Sequence, residues 1–183
     1  IEHRPHVCVV AAAPGAGLAC RILKDAVQQV VGRIVEDHAR AIPEEVNTIA
    51  VHFVDDTVPA LAGGCSAMMA EFVEHSSEVR HAVALGRYLR NPPGVLASLA
   101  SGGEALALPL SPMQDSLTEE EKGAVYERAL LDVVNQVGVD VNAAVGHPWQ
   151  AYLLQYVAGL GKRKAAALVA AIRASDSGAL ESR

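Results

Sequence analysis

A strand, a long helix and a second strand follow one another early in the chain, and that succession leaves few architectures open. His6 to Ala12 is short, apolar and valine-rich, and reads as a buried strand. Pro14-Gly15-Ala16-Gly17 then turns the chain. Ile22, Leu23, Val27, Val30, Val31, Ile34 and Val35 repeat at three and four, the spacing of one helix face, over about Leu18 to Ala39. Ile42-Pro43 closes that helix. Thr48 to Val54 forms the second strand, with Ile49, Val51 and Phe53 on one face. Strands joined by a helix of ~22 residues pair in parallel through a right-handed crossover, so the expected fold class is α/β.

Helical segments follow near Cys65–Glu74 and Glu78–Arg90, and Asn91-Pro92-Pro93 breaks the second and starts a short helix. Ala105 to Leu110 reads as a further short strand or an extended linker. Thr118 with Glu121 makes a capping box ahead of a long helix. The rows Val125, Ala129, Val133, Val137 and Tyr126, Leu130, Val134 give that helix one docking face. Two helices, about Pro148–Val157 and Lys162–Ala174, flank Gly159-Leu160-Gly161, and a polar tail from Ser175 is expected to fray.

Composition excludes several classes. With 51% apolar and 20% charged residues the chain has a real core to bury, which removes disorder as its main state. At 4% aromatic, widespread stacking on single-stranded bases is excluded. Three cysteines argue against a disulfide scaffold. The longest uncharged run, 141–161, holds Asn142, His147, Pro148, Gln150 and Gln155, which a bilayer core penalises, so no membrane association is expected. His3 through Cys20 superficially copies a secretion signal, but its apolar part alternates like a strand. A start at Ile1 without Met suggests a piece of a longer polypeptide. The net charge of −6 hides an asymmetry. Residues 141–175 contain Lys162, Arg163, Lys164 and Arg173 and no acid, so the remainder holds a net −10.

The basic end contains the most specific motif. Val157-Ala158-Gly159-Leu160-Gly161-Lys162-Arg163-Lys164-Ala165, with Leu168, Val169 and Ile172 behind it, has the apolar–Gly–apolar–Gly spacing of a helix-hairpin-helix. The glycines permit a tight turn with positive φ and let backbone N–H groups reach a phosphate. The second helix starts there, so its free donors and dipole favour an anion. Ala165 lets the two helices approach, and Lys162, Arg163 and Lys164 add charge that releases counterions. Gly159, Leu160, Gly161, Lys162, Arg163 and Lys164 are therefore the candidate DNA-binding residues.

Other constellations are weaker. Ala13-Pro14-Gly15-Ala16-Gly17 stands where a nucleotide turn would, but Cys20 occupies the third glycine position and no Gly-Lys-Ser/Thr follows. Asp55-Asp56 at a strand's carboxyl end could hold Mg²⁺, yet the first strand–helix turn supplies no further acid. Cys65 in Gly63-Gly64-Cys65-Ser66 lacks a thiol-enzyme signature and reads as structural. His3-x-x-His6 has ligand spacing without a second pair. Asp115, Glu119, Glu120 and Glu121 form a solvated acidic helix start, with a histone-facing role as the sharper alternative. No catalytic residue, metal or cofactor is expected.

The run Val134-Asn135-Gln136-Val137-Gly138-Val139-Asp140-Val141-Asn142, then Gly146-His147-Pro148 and Leu154-Gln155-Tyr156-Val157-Ala158-Gly159-Leu160-Gly161, resembles the eukaryotic transcription elongation factors and histone chaperones of the "suppressor of Ty six" family. The bacterial Tex proteins share a shorter form. The likeness continues through Pro5-His6-Val7, Phe53-Val54-Asp55-Asp56, Ala84-Leu85-Gly86-Arg87-Tyr88, Pro109-Leu110-Ser111-Pro112-Met113-Gln114 and Leu180-Glu181-Ser182-Arg183. The resemblance implies a YqgF-like (RNase H-like) domain over 1–147 lacking its first strands, a helix-hairpin-helix over 148–174 and a tail over 175–183. It places Ala11-Ala12-Ala13-Pro14 where active nuclease relatives keep an acid. Lys162 departs from the proline common after the second glycine. It further implies a nuclear protein, catalytically inert, that contacts DNA weakly and without sequence preference. Histones or nucleosomes and the RNA polymerase II elongation complex would be met through the full-length protein. Two other readings stay open on the residues alone: a Mg²⁺-dependent RNase H-like nuclease using Asp55, Asp56 or Asp140, and a purely structural scaffold.

Overall fold

The computed structural model describes residues 7–12, 17–37, 49–175 and 179–180 of the 183-residue chain. It comprises two compact units, Ile1–Thr57 and Val58–Arg183.

In the first unit, β1 (Val7–Ala12) and β2 (Ala50–Asp55) pair in parallel, in register from Val7 opposite Ala50 to Ala12 opposite Asp55. The crossover carries α1 (Gly17–Asp37). The parallel unit is thus as its sequence dictates, but its burial is not. β1 is half-buried with Val7 exposed, and α1 buries no residue completely, with Leu18, Ile22, Leu23 and Val30 open to solvent. Val51 is the buried residue of β2. The chain termini of these elements at His6, Ala13–Ala16, His38, Ala39 and Thr48 lie outside the described residues.

The second unit contains helices and no strand among its described residues, so the chain as a whole is mostly helical rather than an extended α/β sheet. Its elements are α2 (Thr57–Gly63), α3 (Ser66–Glu71), α4 (Ser77–Arg90), α5 (Pro92–Gly102), α6 (Glu119–Val137), α7 (Val141–Gly146), α8 (Pro148–Ala151) and α9 (Gly161–Arg173). The starts follow side-chain chemistry. Ser76, Asn91, Thr118 and Asp140 each accept a first-turn N–H of α4, α5, α6 and α7. Thr118 and Glu121 close the expected reciprocal box, and the N–H and hydroxyl of Thr118 hold the Glu121 carboxyl below the usual range. α5 begins on two prolines, which lack the donors a first turn leaves unused.

α5 is the hub. Ala97 and Leu99 are fully buried on it, Leu99 against α2–α4 and Ala97 against Leu130 and Val134 of α6. Of the two expected rows on α6, the one with Leu130 and Val134 docks. The row of Val125, Ala129 and Val133 instead opens into an apolar groove with Leu110, Met113 and Leu117. The expected strand or linker at 105–110 is a 3₁₀ turn over Glu104–Ala107, followed by a loop that Gln114 folds. Its side chain accepts the Leu110 and Ser111 N–H groups at 2.8 and 3.2 Å and donates to the Leu108 carbonyl at 2.9 Å. Of the tail's described residues, Leu180 is tied to α7. The Asn142 side chain donates to the Leu180 carbonyl at 3.0 Å and accepts its N–H at 2.7 Å. The family limit expected near residue 147 falls inside this unit, between α7 and α8. Among the described residues no helix is long and apolar enough to cross a membrane.

Candidate nucleic-acid interface

The hairpin at 148–173 is built from two unequal legs. The first starts at Pro148 as α8, tightens into a 3₁₀ helix over Tyr152–Tyr156 and ends at Val157; the second is α9. Between them Val157 N–H donates to Leu154 O at 3.2 Å and Leu160 N–H to Val157 O at 3.0 Å. Gly159 and Gly161 have φ of +86° and +63°, the left-handed region in which a β-carbon is disfavoured. A β-carbon at either would meet nothing within 4 Å, so backbone conformation, not crowding, demands glycine.

The legs are held by an aliphatic core of their own. Leu154 from the first leg and Ala165, Val169 and Ile172 from α9 bury against Ala144 and Val145 of α7. Ala165, 5% exposed, is the small residue at the crossing. The Arg173 guanidinium donates to Val145 O at 3.0 Å and ties the far end of α9 to α7.

The near end of α9 differs from every other long helix start in this unit. No side chain caps it, and its first turn contains no acid. Its first N–H groups therefore have no side-chain acceptor, and they carry the positive end of the helix dipole. Lys162, Arg163 and Lys164 are all exposed there, and Lys164 Nζ donates to Gly159 O at 3.1 Å. Cations at a helix N-terminus oppose the dipole unless an anion joins them. Glycine turn, open N–H groups and three lysine or arginine side chains thus make one electropositive corner, with all six candidate residues, Gly159 to Lys164, on it.

One residue important to this corner escapes sequence reasoning. Asn135, in the last turn of α6, accepts the Ala158 N–H on Oδ1 at 2.9 Å and donates through Nδ2 to Tyr156 O at 3.0 Å. A polar amide late in an otherwise amphipathic helix is the only signal it gives.

Asp55, Asp140 and Cys65 are each engaged within their own segments. Asp55 Oδ1 accepts the Thr57 N–H at 2.9 Å, and bonds from the Thr57 hydroxyl and backbone hold its carboxyl below the usual range. Asp140 caps α7 through Ala143 N–H at 3.0 Å. Among the described residues no group of three or more His, Cys, Asp or Glu side chains is placed to hold a metal ion. Cys65 is buried and caps α3, accepting the Met68 N–H on Sγ at 3.4 Å. Glu119 and Glu120 sit exposed in the first turn of α6, where the dipole favours them. His3, His6 and the turn Ala13–Ala16 lie outside the described residues.

Comparison with known proteins agrees with this geometry. Residues 103–183 match the family described as "Helix-hairpin-helix motif". The "Transcription elongation factor SPT6 homolog" of Arabidopsis thaliana is 37% identical over 169 residues, 92% of this chain and 10% of that protein. The "Transcription elongation factor SPT6-like" protein of the same plant is 33% identical over 91% of this chain and 13% of its own length. "Transcription elongation factor SPT6" of Saccharomyces cerevisiae is 34% identical over 65% of this chain and 8% of its own. The chain spans about a tenth of the length of the curated relatives it matches. By sequence, the chain is homologous to one segment of the much longer SPT6 transcription elongation factors.

Proposed function

We propose that this chain is a non-catalytic segment of a nuclear transcription elongation factor and histone chaperone, one that works on nucleosomes during RNA polymerase II transcription. Its own task is to hold the DNA backbone at the Gly159–Lys164 corner. The observation that carries this reading is the start of α9, uncapped, free of acid and crowded with Lys162, Arg163 and Lys164. A phosphate there accepts from the open N–H groups, offsets the dipole and pairs with the cations in one position. Nothing on the corner reaches into a groove, so contact is indifferent to base sequence. Residues 1–147 are assigned to the YqgF-like, RNase H-like part of the family and 148–174 to the hairpin module. Histones and polymerase are met by the remainder of the full-length protein.

Two or three phosphate contacts give a slope of about −2 to −3 in log K against log salt, and a dissociation constant of roughly 10⁻⁴ to 10⁻⁶ M, since the acidic body repels DNA. The test is fluorescence anisotropy on a short duplex at two salt concentrations, comparing the parent with the Lys162→Glu, Lys164→Glu double variant. Both side chains are exposed, so circular dichroism should be unchanged. Binding nearly abolished supports the reading. Binding as tight as the parent's makes the hairpin a packing element and the protein a scaffold.

A further inference from the structure

The hairpin's turn is tethered to a helix that belongs to neither of its legs. The Asn135 amide bonds three backbone groups: its own helix at Leu131 O (2.7 Å), Tyr156 O (3.0 Å) and Ala158 N–H (2.9 Å). Tyr156 and Ala158 flank Val157, and Ala158 immediately precedes Gly159, so the amide acts as a short strand would, taking one acceptor and one donor two residues apart. The assignment of its oxygen and nitrogen is fixed by the partners, because Ala158 offers only a donor and the other two only acceptors. Asn135 itself is exposed, whereas the adjacent Val134, 2% exposed, makes the core contact of this turn of α6. The amide therefore orients the turn and contributes little to the packing beneath it.

Accepting the DNA-contact reading, we infer that Asn135 is a positioning residue for the phosphate corner. It fixes the backbone leading into Gly159 before DNA arrives, so that the N–H groups at the start of α9 already converge. The ordering a mobile turn would undergo on binding is thereby avoided, and affinity rises without any contact between Asn135 and DNA. Asparagine suits the task because it presents donor and acceptor on one short arm. Aspartate lacks the donor, and leucine of similar size has neither.

Three measurements on the whole chain test this. Asn135→Leu should weaken duplex binding by about tenfold, the scale of one lost preorganising clamp, with an unchanged salt slope because every cation remains. Its far-ultraviolet dichroism should match the parent's. In the free parent the Ala158 amide should exchange slowly with solvent deuterium, and in Asn135→Leu at the rate of an open turn. The Lys162→Glu, Lys164→Glu protein, run beside it, separates the two ideas. Binding that survives charge reversal overturns the DNA reading itself. Binding that falls with charge reversal but is unchanged in Asn135→Leu overturns the role of Asn135 alone. If Asn135→Leu does not fold, the parent still decides: an Ala158 amide unprotected without DNA overturns the preset turn.

Discussion

The guanidinium of Arg87 lies 5.2 Å from the ring centroid of Trp149, and it is this stack that joins α4 to the first leg of the hairpin. The same guanidinium stands 5.3 Å from the Phe72 ring and forks onto Glu71, with Nη1 to Oε2 at 2.8 Å and Nη2 to Oε1 at 2.5 Å. Only a planar, permanently charged group satisfies two rings and a carboxylate together. Arg87→Lys should cost about 1 kcal/mol, since it keeps the charge and loses the fork and the stacking. Arg87→Ala should cost roughly 2–3 kcal/mol by stripping packing as well. Urea unfolding of the two variants checks the order; a lysine variant as stable as the parent would count against the stacked arrangement.

Gly94 also lies against Trp149. A β-carbon at Gly94 would lie 2.9 Å from Trp149 Cζ3 and 3.3 Å from the Asn91 side chain that caps α5. Neither a buried ring nor a cap yields freely. Gly94→Ala should destabilise by about 1–3 kcal/mol despite alanine's better helix propensity. A thermal melt showing stabilisation would mean the ring moves aside.

Glu104 links the 3₁₀ turn after α5 to the start of α3, its Oε1 accepting the Ser66 N–H at 3.0 Å and hydroxyl at 2.7 Å. Burial pushes this carboxyl up, but the two Ser66 bonds and a bond from its own backbone together hold it below its ordinary value of 4.5. A depressed folded-state pKa means stability present above about pH 4.5 and lost as pH falls through the lower folded value. Melting temperatures should therefore drop between pH 5 and pH 3 more steeply in the parent than in Glu104→Gln. Parallel curves for the two proteins would remove Glu104 from the acid response.

At Gly161 the constraint is backbone sign alone. Gly161→Asn, which tolerates the left-handed region, should cost less than Gly161→Val, for which about 1–2 kcal/mol is expected. DNA affinity should follow the same order, asparagine above valine. Equal losses for both would point to crowding that the open surroundings of Gly161 do not provide.

Local rules were readable in the sequence, and distant partnerships were not. The Thr118–Glu121 box, the prolines at Pro92-Pro93 and the glycine spacing at 159 and 161 act within a few residues, and each did what its chemistry dictates. The parallel pairing of β1 with β2 followed from the helix between them. α2 was missed because Pro59 interrupts a seven-residue apolar segment, and α7 because six residues hold too few turns to show a period. Ala105-Leu106-Ala107-Leu108 has no period that separates a strand from a 3₁₀ turn. The six candidate residues were named from their spacing, which also sets where they lie, at the glycine turn and the start of α9. Asn135, on a different helix 23 residues before Ala158, was not, because nothing local tells a solvated amide from one that clamps a turn.

The most direct test is to see which amides answer to DNA. With ¹⁵N-labelled protein and a short duplex, the largest shift changes should fall on the backbone N–H groups of Gly161, Lys162 and Arg163. They should fade as salt rises and be absent from the Lys162→Glu, Lys164→Glu protein. Shift changes spread elsewhere on the chain, with Gly161–Arg163 unmoved at saturating duplex, would contradict a phosphate-binding corner at the start of α9.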